Sequence, residues 1–211
     1  MATSTSAAPW VPPHATLERL RQAAAACQGC ELYQHATQTV FGEGRAQARL
    51  VLVGEQPGDS EDRQGHPFVG PAGRLLDKCL VEAGIDRSLV YVTNAVKHFK
   101  FQMVGHRRLH KKPSNREVAA CHPWLLAELE QIAPDLIVAL GATAAQAMLG
   151  KDFKVTQRRG EIIEATLPGA RAILATVHPS SLLRAPDDET RELETRRFIA
   201  DLEVAARFLA A

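Results

Sequence analysis

The chain has 211 residues, of which 45% are hydrophobic and 23% charged, and its formal net charge is +1. That length suits one well-packed core. The balance is that of a soluble globular protein, and no apolar run is long enough to cross a bilayer, which excludes membrane-spanning functions. So small a net charge means that any nucleic-acid partner must be argued from where the charges sit.

In chain order, residues 1–15 read as a flexible lead-in without the basic start and apolar stretch of a secretory signal, which points to a cytoplasmic protein. A single domain over residues 16–211 follows. Thr16 is a fitting N-cap for a helix running to Ala26. That helix delivers the chain to Cys27-Gln-Gly-Cys30, and four cysteines so arranged suggest a metal or redox role before they suggest disulfides.

Four apolar runs have the character of strands buried on both faces: Arg49–Gly54, Leu89–Thr93, Asp135–Gly141 and Arg171–Val177. Helical patterns separate them at Gly73–Ala83, Arg116–Ile132 and Ala142–Leu149, and another closes the chain from Asp188 to Leu209. The alternation predicts an α/β fold, a single-domain α/β/α sandwich around a central four-stranded parallel sheet. Ligands of such folds bind beyond the carboxyl ends of the strands, where Gly54-Glu-Gln-Pro-Gly-Asp59, Asn94 and His178-Pro-Ser-Ser181 would converge. From Lys97 to Arg116 the chain carries seven Lys or Arg and no acid, a stretch suited to neutralising phosphates. Nothing signals an oligomer, and a monomer is the reading.

Three segments carry a resemblance: Gly54 through Gly73, Thr93-Asn-Ala-Val-Lys97, and His178-Pro-Ser-Ser-Leu-Leu-Arg184. Together they resemble the uracil-DNA glycosylase superfamily, nearest to the family 4 enzymes with an iron–sulfur cluster and, among their neighbours, to the UdgX group. The mark of that group is a basic insertion of the form Lys-Arg-Arg-Ile-His, which here reads His106-Arg-Arg-Leu-His110.

The resemblance implies removal of uracil from DNA, with the base turned out of the stack into a pocket. Phe68 is the candidate stacking face and Asn94 the pairing-edge reader, since a carboxamide offers a donor to O4 and an acceptor to N3–H. Gly54 and Ser180 border the same pocket. His178 can donate to uracil O2, while Glu55 and Asp59 can face the sugar cation or hold water. Gln56 stands where the best known branch has an aspartate and family 4 an alanine, and an amide cannot serve as a general base. Arg107, Arg108, Lys111, Lys112 and Arg184 are the candidate DNA contacts. In the UdgX group the last histidine of the insertion bonds to the abasic sugar, a role that falls on His110, whose neutral form the surrounding cations favour.

The resemblance also implies a [4Fe-4S] cluster. Cys27, Cys30 and Cys121 match three ligand positions, and His98 stands at the fourth in place of a cysteine. Spacing alone leaves a zinc site of three Cys and one His open. Cys79 reads as a small buried hydrophobe.

Overall fold

The computed structural model describes residues 6–164 and 167–211. In chain order it contains α1 (Leu17–Ala24), β1 (Glu43–Gly44), β2 (Leu50–Gly54), α2 (Asp59–Gln64), α3 (Pro71–Glu82), β3 (Val90–Asn94), β4 (Phe101–Val104) and β5 (Arg107–His110). Then come α4 (Asn115–Ile132), β6 (Leu136–Leu140), α5 (Ala142–Leu149), α6 (Val155–Arg158), β7 (Ile162–Glu164), β8 (Ala172–Thr176), α7 (Pro179–Leu182) and α8 (Asp188–Ala210).

The four apolar runs are the four parallel strands, adjacent in the order β3-β2-β6-β8, and every residue in them is buried. The sheet nevertheless has six strands, because β1 pairs antiparallel with β3 and β7 pairs antiparallel with β8 at the two edges. The expected count of four is corrected on that point. The added strands are two and three residues long and lie partly open to solvent, too short to show a hydrophobic period. They cover the edges of the parallel sheet, which would otherwise present unpaired backbone groups.

Alternate residues of each strand face opposite layers. Leu50, Leu52, Val92, Val138 and Leu174 pack on Leu76 and Leu80 of α3 and on Phe198 and Leu202 of α8. Val51, Val53, Ile137, Ala139 and Ile173 pack on Leu125 and Leu129 of α4 and on Ala144, Ala145 and Met148 of α5. A third cluster joins α1 and the N-terminal segment to Trp124 of α4 and contains Cys27 and Cys121. Among the described residues no helix is long and apolar enough to cross a membrane.

Two further differences from the sequence reading matter. Residues 6–15, expected to be part of a flexible lead-in, lie against the domain: Ala7 is buried and its N–H donates to Ala120 O at 2.7 Å. Residues 1–5 fall outside the described residues. The basic stretch, to which the sequence reading assigned no element, contains β4 and β5, an antiparallel hairpin pairing Phe101 with His110 and Val104 with Arg107. Its turn opens on Gly105, whose φ of +58° suits glycine.

Leu52 lies at the middle of β2 with no exposed surface. Leu52→Ala should therefore lower the unfolding free energy by about 2–5 kcal/mol, as buried Leu truncations do. A urea titration followed by far-UV circular dichroism measures it.

Candidate active site

The parallel strands end together, and their carboxyl ends bring distant residues into one place. Gly54 closes β2 directly opposite Asn94, the last residue of β3. A Cβ on Gly54 would stand 2.3 Å from Asn94 Oδ1 and 2.7 Å from Phe68 Cζ, so only glycine lets the carboxamide and the ring approach. Phe68 has a φ of +58°, and a Cβ on Gly73 would lie 1.6 Å from its carbonyl oxygen. The strained residue is thus held by the first turn of α3. Glu61 braces the same loop, accepting from Gly70 N at 2.8 Å and Gly58 N at 3.1 Å.

His178 arrives from the end of β8 and stacks on Phe68, with ring centres 6.3 Å apart and planes 24° from parallel. Its Nδ1 accepts from Ser180 N at 3.1 Å and lies 2.8 Å from Ser180 Oγ. The backbone donor fixes Nδ1 as an acceptor, so the neutral ring carries its proton on Nε2. Ser180, expected to border the base, instead sets the tautomer of His178. Burial, with the charges of Arg184 and His110, pushes the His178 pKa down to about 4.

Glu55 follows β2, and its Oε2 accepts from Thr143 Oγ1 in the first turn of α5. Its Oε1 is 3.4 Å from His110 Nε2. The His110 pKa is lowered, chiefly by burial, with Glu55 opposing and Arg184 assisting. The expected direction is found, but its leading cause is desolvation and its helping cation is Arg184, not the neighbouring residues of the insertion.

Three of the expected site residues have partners within the protein. Gln56 is buried and its carboxamide is engaged at both ends: its Nε2 donates to Lys100 O at 3.1 Å and Lys111 O at 3.0 Å, and its Oε1 accepts from Lys100 N at 3.2 Å. It ties together the two ends of the β4–β5 hairpin. Arg108 is no free phosphate contact. It donates to Asp59 at 2.5 Å and to Asp62 at 2.6 Å, and lies over Phe101 and Phe99 at 5.0 and 5.5 Å. Asp59 in turn is taken up by Arg63 and Arg108, which together hold its carboxyl below the usual range against the opposing effect of burial. Arg107, Lys111, Lys112 and Arg184 are all exposed near the site.

Cys27, Cys30 and Cys121 share one region, whereas Cys79, on the core-facing side of α3, belongs to another, where burial drives its thiol up to about 11. Cys27 Sγ accepts from Gly29 N at 3.4 Å and Trp124 Nε1 at 3.2 Å, and Cys121 Sγ accepts from Lys97 N at 3.2 Å. Burial raises the Cys121 pKa to about 12, and the Cys30 and Cys27 charges add to it. His98 is buried, with its pKa pushed down to about 4 by desolvation. Its Nε2 is 2.9 Å from Thr39 Oγ1, which donates its own proton to Ala24 O at 2.9 Å, so His98 Nε2 is the donor and Nδ1 keeps the lone pair. Among the described residues no three His, Cys, Asp or Glu side chains gather around one metal-ion position. Two of the three sulfurs receive N–H bonds in an apolar setting, which together with one imidazole lone pair fits a thiolate-bound group.

Thr143 and Asp62 were not singled out from the sequence, and neither were Lys97 and Glu128 described below. A threonine in an alanine-rich helix and an acid in a short acid-rich helix carry no local signal of these contacts.

The family model of the uracil DNA glycosylase superfamily matches residues 41–203. The chain is 41% identical over 184 residues to a type-4 uracil-DNA glycosylase of Thermotoga maritima, covering 87% of this chain and 89% of that protein. It is 33% identical over 183 residues to a type-4 uracil-DNA glycosylase of Sulfurisphaera tokodaii, with 82% and 78% covered. A type-4 uracil-DNA glycosylase of Archaeoglobus fulgidus is 36% identical over 165 residues, with 76% and 79% covered.

The depressed His178 pKa has a consequence for stability. Between about pH 6.5, where a free imidazole titrates, and about pH 4, unfolding takes up a proton at this residue, so its effect is to lower stability as pH falls through that window. His178→Asn should flatten the decline, read from urea midpoints at pH 7, 5.5 and 4.5.

Proposed function

Because the chain belongs to the uracil DNA glycosylase superfamily, we propose that it excises uracil from DNA and then keeps the abasic sugar as a covalent adduct on His110, as members of the UdgX group do. The observation that carries this reading is the placement of His110 Nε2 3.4 Å from Glu55 Oε1, at the end of the sheet where Phe68, Asn94 and His178 meet.

Arg107, Lys111, Lys112 and Arg184 neutralise phosphates and set the register of the DNA without reading its sequence. The extruded uracil stacks on Phe68, and the Asn94 carboxamide donates to O4 and accepts from N3–H, a pattern that cytosine presents in reverse. As the C1′–N1 bond breaks, its electron pair leaves with uracil, and the Nε2–H of His178 donates to O2, where negative charge gathers. The sugar is left cationic at C1′, and Glu55 is the facing carboxylate. His110 is kept neutral in this setting. Its Nε2 proton passes to Glu55, and the freed lone pair closes on C1′. Thr143 holds the other carboxylate oxygen, which leaves Oε1 aimed at the imidazole.

The hairpin makes this geometry durable. Gln56 joins its two ends and Arg108 fixes its second strand to α2, so His110 is presented by a braced ribbon. Neither residue touches the substrate in this reading.

Cys27, Cys30, Cys121 and Nδ1 of His98 would hold a [4Fe-4S] cluster. Through these residues the segment after Ala26 would be tied to α4 and to the root of the hairpin, a bracing role. Purified protein should accordingly be brown, with about four irons per chain. Colourless protein containing zinc by elemental analysis would refute the assignment.

Incubation with a uracil-containing oligonucleotide should yield a protein–DNA band that survives a denaturing gel. His110→Ser should abolish the band while uracil release continues, with water as captor and turnover restored. A band that persists in that variant, or wild-type protein that turns over many times without one, shows an ordinary glycosylase. Neither band nor released uracil leaves a binder of uracil-containing or abasic DNA.

A further inference from the structure

A lysine and a glutamate lie in the dry interior beside the pocket, and the excision chemistry uses neither. The side chains of Lys97 and Glu128 are 1% and 0% exposed and form an ion pair. The three ammonium hydrogens are all engaged: by Glu128, by Thr93 Oγ1 at 2.6 Å and by the backbone carbonyl of Asn94 at 2.8 Å. Glu128 also accepts from Tyr91 OH at 2.9 Å, Gly42 N at 3.0 Å and Thr93 Oγ1 at 3.0 Å. The Phe41 ring closes the remaining side, 5.6 Å from Lys97 Nζ.

Desolvation of such a pair is costly, and well-packed apolar residues in its place are often neutral or stabilising. Stability is therefore a weak reason for its presence. Its placement supplies a better one. Asn94 ends β3, and the next two residues continue the ladder through Ala95 N to Gly54 O and Val96 N to Glu55 O. The Asn94 carbonyl is held by the Lys97 ammonium, so the peptide whose rotation would swing the carboxamide is tied down. Glu128, anchored on α4, sets where that ammonium sits, and the Lys97 N–H reaches Cys121 Sγ on the same helix.

The geometry points to Lys97, held by Glu128, as a positioning residue for base recognition that acts through Asn94; the inference rests on the pairing-edge role proposed for Asn94. The pair links that residue to the helix that carries Cys121.

A double-mutant cycle on single-turnover uracil release by the iron-loaded protein tests it. Lys97→Met/Glu128→Gln removes both charges together, and glutamine keeps an acceptor for Tyr91 and Gly42. Release at saturating protein should slow roughly 10- to 100-fold, the scale of a small misplacement. The protein concentration giving half-maximal rate should stay unchanged, because the exposed cations set it. In an Asn94→Ala background the same two changes should cost less than about 2-fold, since the residue they act through is gone. Losses that multiply in both backgrounds overturn the inference, as does full-speed release by the pair variant. Thr93→Val removes one acceptor of the ammonium and leaves both charges in place. It enters the same cycle if the pair variant unfolds, and its loss must likewise vanish with Asn94→Ala or the inference fails. A wild-type chain that releases no uracil overturns the proposed activity and this inference with it; active wild type and an equally active pair variant overturn the inference alone.

Discussion

The absence of a side chain at position 54 is the constraint around which the candidate site is arranged. Parallel pairing of β2 with β3 sets Gly54 beside Asn94, and the Phe68 ring closes over the same point. A methyl group there would displace both. The same economy of space recurs at Gly73, which lets α3 begin against the carbonyl of Phe68, and at Gly141, where a Cβ would meet His178 Cβ at 3.0 Å. Three glycines, at the end of β2, in the first turn of α3 and between β6 and α5, therefore decide how closely a stacking ring, a carboxamide and an imidazole gather.

Electrostatics supplies the second layer. Desolvation keeps both histidines of the site neutral-prone, and Arg184 acts on both in the same direction. Glu55 is shared between Thr143 and His110, so a residue of α5 governs which carboxylate oxygen faces the hairpin. The basic segment divides into two kinds of cation. Arg108 turns inward against Asp59 and Asp62 and over two phenylalanine rings, where a planar guanidinium can do both at once. Arg107, Lys111 and Lys112 remain in solvent.

Gln56 and the hairpin belong together. An alanine or aspartate at that position could not bridge Lys100 and Lys111 as a carboxamide does, with a donor to two carbonyls and an acceptor for one N–H. The carboxamide at this position is thus accounted for by the hairpin whose two ends it joins, and it concerns architecture before it concerns water.

The sequence by itself determined the parallel strands, the helices between them and the end of the sheet at which the site lies. Long apolar runs and helical periods are local properties of the chain, and Arg49–Gly54 or Asp135–Gly141 can be little else. The three motifs likewise carry Glu55, Phe68, Asn94 and His178, which the strand ends bring together. Only the tertiary structure decided the edge strands and the hairpin, because two- and three-residue strands and a ribbon of basic residues have no readable period. It alone separated Arg108 from Arg107, set Gln56 between the two ends of the hairpin and joined Lys97 to Glu128. Those assignments depend on partners distant in the chain, 55 residues apart for Gln56 and Lys111, and on burial, which no neighbouring residue in the chain reports.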